Sequence, residues 1–422
     1  MIAGRAIRRH ASNIAAVVRD KTSRKNVMVE GWVDQVQRRG GLVFAKVSDG
    51  TSCHQVQLVA PKIQVGCSLR AQGSWQPSQG AQQDMELRVE ELQVFSTDKD
   101  PRYDSLSPDN LRSKLHLRTR SSHFASLMRL RSAVFQKTHK FFENNNFMHV
   151  EPPMLTKNDC EGGGEVFSVV SATGEQPVFL TVSSQLHLEA MCTRLGKVYT
   201  LGPAFRAEKQ QSHAHMSEFR MLEAEMAFIT ELDELTAFVE SYVREVISFR
   251  TELQEEIGNL GDFDSKEIDL CKYSAPWPRI RYSEAIEFIE KNGSKLGPSG
   301  SLSKQNELAL VDHYGPVFVT HFPIGQKPFY MRRTPCGAYT ESFDLLFPLI
   351  GELAGGSLRE NCPKELGKRG QVAKWYLECR ERGQPPTAGF GVGFDRLLQV
   401  LFSVRNIKDT IPFPRWYKKC QC

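Results

Sequence analysis

The chain has 422 residues, 40% of them apolar and 24% charged. That length exceeds one ordinary domain and gives ample apolar surface for a core. No apolar run reaches the length of a membrane span, which argues against a membrane partner. The 54 basic and 49 acidic residues leave a net charge of only +5, so any nucleic-acid partner must be met by a local basic surface. Ten cysteines are scattered without zinc-type spacing, the usage of a protein that keeps its thiols reduced.

Residues 1–19 carry Arg5, Arg8, Arg9, His10 and Arg19, with no acid before Asp20, and Ile2, Ile7, Ile14, Val17 and Val18 can share an apolar face. This composition predicts a mitochondrial transit segment over 1–19 and a matrix location. The alternative is a frayed basic end that touches RNA in a cytoplasmic protein. From residue 20 to 97, short β-rich runs such as Val27–Val33, Leu42–Val47 and Val56–Val59 alternate with turn residues. Their number and spacing predict a small barrel, with the OB-fold the natural candidate. The polar, proline-containing stretch 98–122 is the expected linker. Helical spacing over 124–144 opens a second domain, 123–422. Within it, strand-like runs at 198–207 and 217–229 flank a polar loop, and 231–257 is expected to be helical.

On the second of those strands the period of two puts Glu223 and Glu225 on one face. Such a pair is either solvated or set to bind a cation. Beside it lie Phe205-Arg206-Ala207-Glu208 and His215-Met216-Ser217-Glu218-Phe219. In Ala388–Leu397, glycines at alternate positions (389, 391, 393) bare one strand face to a flat ligand, ahead of Asp395-Arg396. A third stretch joins Asp344 to Gly351-Glu352 and Gly355-Gly356-Ser357-Leu358-Arg359-Glu360.

Together these segments resemble motifs 2 and 3 and the G-E-x-x-G-G-S-x-R-E run of class II aminoacyl-tRNA synthetases of the aspartate/asparagine subgroup. The likeness extends over about residues 27–422. It implies an α+β catalytic domain with a mainly antiparallel sheet flanked by helices, plus an N-terminal OB barrel. By that resemblance Arg206 grips the α-phosphate of ATP and the amino-acid carboxylate, and Glu208, His215, Phe219 and Arg396 complete the ATP site. Phe219 is expected to stack on adenine. Glu352 and, second to it, Asp344 are hard oxygen donors suited to Mg2+. The helix 124–144 leading to Pro153 resembles motif 1, the dimer element, and implies a homodimer. Glu161, in Glu161-Gly162-Gly163-Gly164-Glu165, is the candidate for the substrate ammonium, and Arg359 for its side-chain carbonyl. In the barrel, Phe44 would stack an anticodon base, Gln57 would bond a base edge, and Arg38 with Arg39 would hold phosphate. Phe44 as plain barrel core is the competing reading.

The subgroup divides by side chain. Aspartyl enzymes carry S-P-Q-L-x-K-Q, but here Ser183-Ser184-Gln185-Leu186-His187-Leu188-Glu189 puts Leu188 in the lysine position. A buried carboxylate without its cation is costly and an amide is not. Thr181–Glu189 fits the asparaginyl pattern except at Ser184. Ser183, Gln185 and Glu223 are therefore expected around asparagine, with tRNA(Asn) as partner. The expected reaction forms asparaginyl-adenylate and then transfers it to the tRNA for organellar translation, with catalysis by positioning and charge. One departure is Ala214, which stands where the resembling loops carry an arginine toward the outer phosphates. It leaves open a tRNA-binding paralogue without ligase activity, beside the aspartyl alternative.

Overall fold

The computed structural model describes residues 11–80, 83–157, 166–170, 178–209, 212–260, 273, 276–369 and 372–420. The chain divides into two compact units. One runs through Leu130 and takes in Leu253–Gly261; the other comprises Arg131–Glu252 and Asp262–Cys422.

The first unit opens with helix α1 (Ile14–Arg19), capped by the Asn13 side chain. Strands β1 (Arg24–Arg39), β2 (Leu42–Ser48), β3 (Val56–Ala60), β4 (Cys67–Pro77) and β5 (Met85–Thr97) close a barrel in the order β1-β2-β3-β5-β4. The alternation in β2 turns Val43, Ala45 and Val47 inward, and they pack with Val29, Leu58, Leu69 and Leu87. The expected barrel is present, but its start is corrected. Ile14 is fully buried and Val17 nearly so in the barrel core, the Ile14 N–H donates to Asp49 at 2.7 Å, and Trp75 Nε1 donates to the Asp20 carbonyl at 2.8 Å. The apolar positions assigned to a leader helix thus serve the barrel, so the division does not fall at residue 19; residues 1–10 lie outside the described residues. The stretch 98–122 is not bare linker: it contains α2 (Pro108–Arg112), capped by Ser107, and two 3-10 turns.

Helix α3 (Ser122–Asn144) follows, then β6 (Met148–His149), β7 (Leu155–Thr156), β8 (Phe179–Leu180), α4 (Gln185–Leu195), β9 (Lys197–Phe205), β10 (Glu218–Ala227), α5 (Leu232–Phe249) and α6 (Gln254–Ile257). The remaining elements are β11 (Arg279–Arg281), α7 (Tyr282–Lys291), α8 (Lys304–Tyr314), β12 (Val317–Thr320), β13 (Ser342–Phe347), β14 (Gly351–Leu358), α9 (Pro363–Gly367), α10 (Lys374–Glu381), β15 (Thr387–Gly393) and α11 (Phe394–Phe402). The second unit is built on one eight-stranded sheet in the order β11-β12-β13-β14-β15-β10-β9-β6, antiparallel except at its two outer pairs. Phe142 of α3 stacks on Tyr199 of β9 at 4.5 Å, fixing that helix on the sheet. The helix expected over 231–257 is interrupted by a 3-10 turn at Arg250–Leu253.

Candidate active site

Strands β10, β15 and β14 floor a cavity of about 330 Å³ in the second unit, with Asp344 of β13 also in its wall. Its wall contains Ser183, Gln185, Glu223 and Arg359 at one end, and Arg206, Glu208, His215, Phe219, Asp344, Glu352 and Arg396 toward the other. All the predicted catalytic, ATP and metal residues, and four of the five amino-acid residues, therefore share one cavity. Glu161 lies outside the described residues.

The end around Ser183, Glu223 and Arg359, the side-chain end, is buried and hydrogen-bonded. Glu223 accepts hydrogen bonds from Ser183 Oγ and from the Ser184 N–H. Glu225 forms an ion pair with Arg359, whose Nη1 also donates to Ser357 Oγ at 2.7 Å. Glu189 pairs with Arg380, accepts from Tyr376 Oη at 2.8 Å and from Gln185 Nε2 at 2.9 Å, and lies 3.7 Å from Arg359. Burial alone would raise the Glu189 carboxyl, but Arg380 and Arg359 overcome it and hold the group below its ordinary value. Burial and the neighbouring Glu189 raise the Glu225 carboxyl above its ordinary value, while the Arg359 guanidinium, which meets it through both Nε and Nη2, pulls it back toward the ionised form. Of the two alternatives for the Glu223/Glu225 strand face, the solvated one is corrected: both carboxylates are buried. Register explains how they fit. Glu225 lies opposite Gly389, where a Cβ would fall 2.0 Å from its carboxylate oxygen, and Glu223 lies opposite Gly391. Gly389 thus makes room for a protein carboxylate, whereas Gly391 and Gly393 do face the cavity, as expected.

The other end is more open and cationic. The Arg206 guanidinium stands 5.5 Å from the Phe219 ring centre. The Arg206 N–H donates to the Ser217 carbonyl, closing the hairpin of β9 and β10. Arg396 Nη1 donates to the Glu352 carbonyl at 2.9 Å. Asp395, the preceding residue, is anchored by Arg131 and by the Arg220 N–H, and this aims Arg396 into the cavity. His215 stands 3.8 Å from Glu208. Burial depresses its basicity, with Arg396, Lys304 and Lys408 adding to the effect and Glu208 opposing it.

Asp344 is held by Lys327 Nζ at 2.6 Å. Burial pushes its carboxyl up to about 6, with Lys327 opposing and Glu352 reinforcing the shift. At Glu352 desolvation acts against ionisation, but Arg396, Lys327 and Arg206 outweigh it and keep the group below its ordinary value. A Cβ on Gly355 would stand 3.3 Å from Asp344 Oδ1 and 3.5 Å from Glu352 Oε1. The glycine keeps the space between two carboxylates clear, a cradle that fits a hard divalent cation.

Residues 108–417 match the model of the class II tRNA synthetases (D, K and N), and residues 27–95 match the OB-fold nucleic acid binding domain. The chain belongs to the class II tRNA synthetases. It is an aminoacyl-tRNA ligase, with the fold that its motifs implied. Among its relatives, a mouse asparaginyl-tRNA synthetase is 35% identical over 93% of this chain and 91% of its own length. A mitochondrial asparagine–tRNA ligase of Schizosaccharomyces pombe is 36% identical over 92% of this chain and 93% of its own. The structure of the Pyrococcus horikoshii asparaginyl-tRNA synthetase complexed with asparaginyl-adenylate superposes with a TM-score of 0.89 at 28% identity, covering 97% of this chain and 99% of that one.

Arg380 and Tyr376, which hold Glu189, and Lys327, which holds Asp344, were not assigned by sequence reasoning. Arg380 meets Glu189 across 191 positions, and no local pattern links them. Lys327 opens the run Lys327-Pro328-Phe329-Tyr330-Met331, which resembles the same subgroup of synthetases. In the barrel, Phe44 sits half-buried on the outer face, across from Gln37 and Val59, rather than in the core. Gln57 Nε2 donates to Glu86 at 3.3 Å, and Arg38 and Arg39 are exposed. The seven described cysteines are all unpaired. Among the described residues no helix is long and apolar enough to cross a membrane.

Proposed function

We propose that this synthetase activates asparagine with ATP and transfers it to tRNA(Asn), in mitochondria. The observation that carries the amino-acid choice is the charge balance of the buried cluster. Two carboxylates, Glu189 and Glu225, meet two guanidiniums, Arg380 and Arg359. A side-chain amide can offer its carbonyl to Arg359 and its NH2 to Glu225. A second carboxylate there would face Glu225 with no cation to spare, at a cost that burial magnifies. Leu188, in the position of the aspartyl lysine, is fully buried beside Cys192, Val198 and Ala227.

Arg206 holds the asparagine carboxylate against the α-phosphate, so that an oxygen of the first attacks the phosphorus of the second in line. Arg396 and Arg206 stabilise the charge that accumulates, in a site already organised for it. Phe219 offers the flat face for adenine, with Glu208 and His215 beside it. Glu352 and Asp344 would hold Mg2+, which neutralises phosphate charge when bound. Glu161 remains the proposed partner of the substrate ammonium.

The partner surfaces follow the same reading. Phe44, half-buried on the barrel's outer face, serves as a stacking platform for an anticodon base, with Gln57 on a base edge and Arg38 and Arg39 on phosphate. Met148, Met154 and Leu155 are exposed around the motif 1 strand segments, and we assign this apolar surface to a second copy of the chain. The mitochondrial leader is confined to the residues before Ser12, because α1 belongs to the barrel. Charging of tRNA(Asn) and tRNA(Asp) transcripts with radiolabelled asparagine and aspartate tests the reading. Asparaginyl-tRNA(Asn) alone is expected; aspartyl-tRNA would overturn the substrate, and binding of either tRNA without charging would favour a non-catalytic paralogue.

A further inference from the structure

Lys304 stands at the phosphate end of the site, on an element that none of the motifs contains. It is the first residue of α8, behind the Ser303 cap. Its ammonium lies 2.7 Å from the position of a Cβ on Gly351, directly beside the residue that leads into Glu352. From the other side Arg396 donates to the Glu352 carbonyl. Two cations thus bracket the 351–352 backbone where β14 begins. Lys304 is loosely held: its ion pair with Glu307 spans 3.8 Å, and 46% of its side chain is exposed. Four methylenes let such an ammonium swing several ångströms without moving its helix.

The loop between β9 and β10 does not supply this charge itself. Ala214 lines the cavity and brings no donor beyond its backbone. Lys209, His213 and Lys304 are all exposed and lie outside the cavity wall, but Lys304 has its ammonium placed beside the backbone that leads into Glu352. Lys408 approaches the loop, but its Nζ donates to the Ser212 carbonyl at 2.9 Å, fixing the backbone. Arg396, Arg206 and Lys304 all act on the Glu352 carboxylate, and Glu307 shares the Lys304 corner, so a polyanion entering here can draw on Lys304 and Arg396, whose ion pairs are long.

We propose that Lys304 grips the terminal phosphates of ATP and the departing pyrophosphate, supplying from α8 the cation that the loop lacks at Ala214. The inference rests on the adenylate-forming function proposed above. In that step the asparagine carboxylate oxygen bonds to the α-phosphorus. The bond from that phosphorus to the bridging oxygen breaks, and its electron pair leaves with pyrophosphate. The ammonium of Lys304 meets that charge by hydrogen bonding, and no proton needs to move.

The test uses the full chain and four forms: the parent, Lys304→Ala, Lys304→Arg, and Lys304→Ala combined with Ala214→Arg. Asparagine-dependent exchange of pyrophosphate into ATP gives KM for ATP and for pyrophosphate, and calorimetry gives the affinity for asparagine. Loss of one charged contact predicts that Lys304→Ala raises both KM values about tenfold. Asparagine affinity stays unchanged, which also shows that the variant is folded. Lys304→Arg keeps most of the parent behaviour, and the double variant regains it. Unchanged KM values for ATP and pyrophosphate in Lys304→Ala would overturn the proposal, as would failure of Ala214→Arg to restore them. No exchange by the parent would instead refute the adenylate-forming function itself.

Discussion

The two ends of the cavity are built on opposite electrostatic principles. At the side-chain end, Glu189, Glu225, Arg359 and Arg380 are buried, matched in charge and tied to Tyr376, Gln185 and Ser357. At the phosphate end the ion pairs are long and partly exposed: Lys304 to Glu307 spans 3.8 Å and Arg396 to Glu352 spans 3.9 Å. The first arrangement is already paired within the protein, and in the proposed reading it selects by rejecting a charge it cannot match. In the proposed reading the second, with its looser pairs, is the end that takes phosphate and supplies catalysis. Recognition and chemistry are thereby separated along one cavity about 330 Å³ in volume.

The largest expected effect breaks the matched end. Glu189→Gln leaves Arg380 and Arg359 short of a counter-charge, and removing one partner of a buried pair costs about 3–5 kcal/mol. Urea unfolding is expected to show this loss at neutral pH. The same residue gives the comparison a pH signature. Its folded pKa lies below the unfolded value, so its ionisation contributes stability above about pH 4.5. That contribution disappears as pH falls through the lower folded value. The gap in stability between parent and Glu189→Gln should therefore close on the acid side and persist at pH 7.

A second break concerns the open end. Arg206→Ala should lower pyrophosphate exchange about 100- to 1,000-fold, the typical cost of one preorganised charge-stabilising donor. Its melting temperature should hardly change, because the folded cluster does not depend on it. A large loss of stability in Arg206→Ala, or none in Glu189→Gln, would erase the distinction between the two ends. A smaller effect sharpens it. Gly355→Ala puts a methyl between Asp344 and Glu352, and the Mg2+ concentration for half-maximal exchange should rise about tenfold. Binding of asparagine alone should be unaffected. In the barrel, Phe44→Ala should weaken tRNA binding by about 1–3 kcal/mol, if one base stacks there, with exchange untouched.

How much of this was visible in the sequence differs between the same regions. Barrel strands and the hairpin of β9 and β10 follow from local alternation, and the motif residues Arg206, Glu352, Arg359 and Arg396 sit in short runs whose spacing is diagnostic. The matched end was legible only in part. Glu223 and Glu225 show the period of two, but burial of Glu225 depends on Gly389, on a strand more than 160 positions later. Arg380 lies on a helix whose polar face gives no hint of a buried carboxylate opposite. Lys304 opens an ordinary capped helix, and only tertiary packing carries it to the backbone beside Glu352. At the N-terminus, Ile14 and Val17 look alike in a leader helix and in a barrel plug; periodicity names the face but not what covers it.

The most direct measurement of the central claim is pyrophosphate exchange with asparagine and aspartate side by side, in the parent and in Glu225→Gln. Exchange with asparagine only in the parent, and weakened discrimination once the Glu225 charge is gone, is the predicted result. Exchange with aspartate in the parent, or discrimination indifferent to Glu225, would contradict the view that a charge-matched cluster selects the amide.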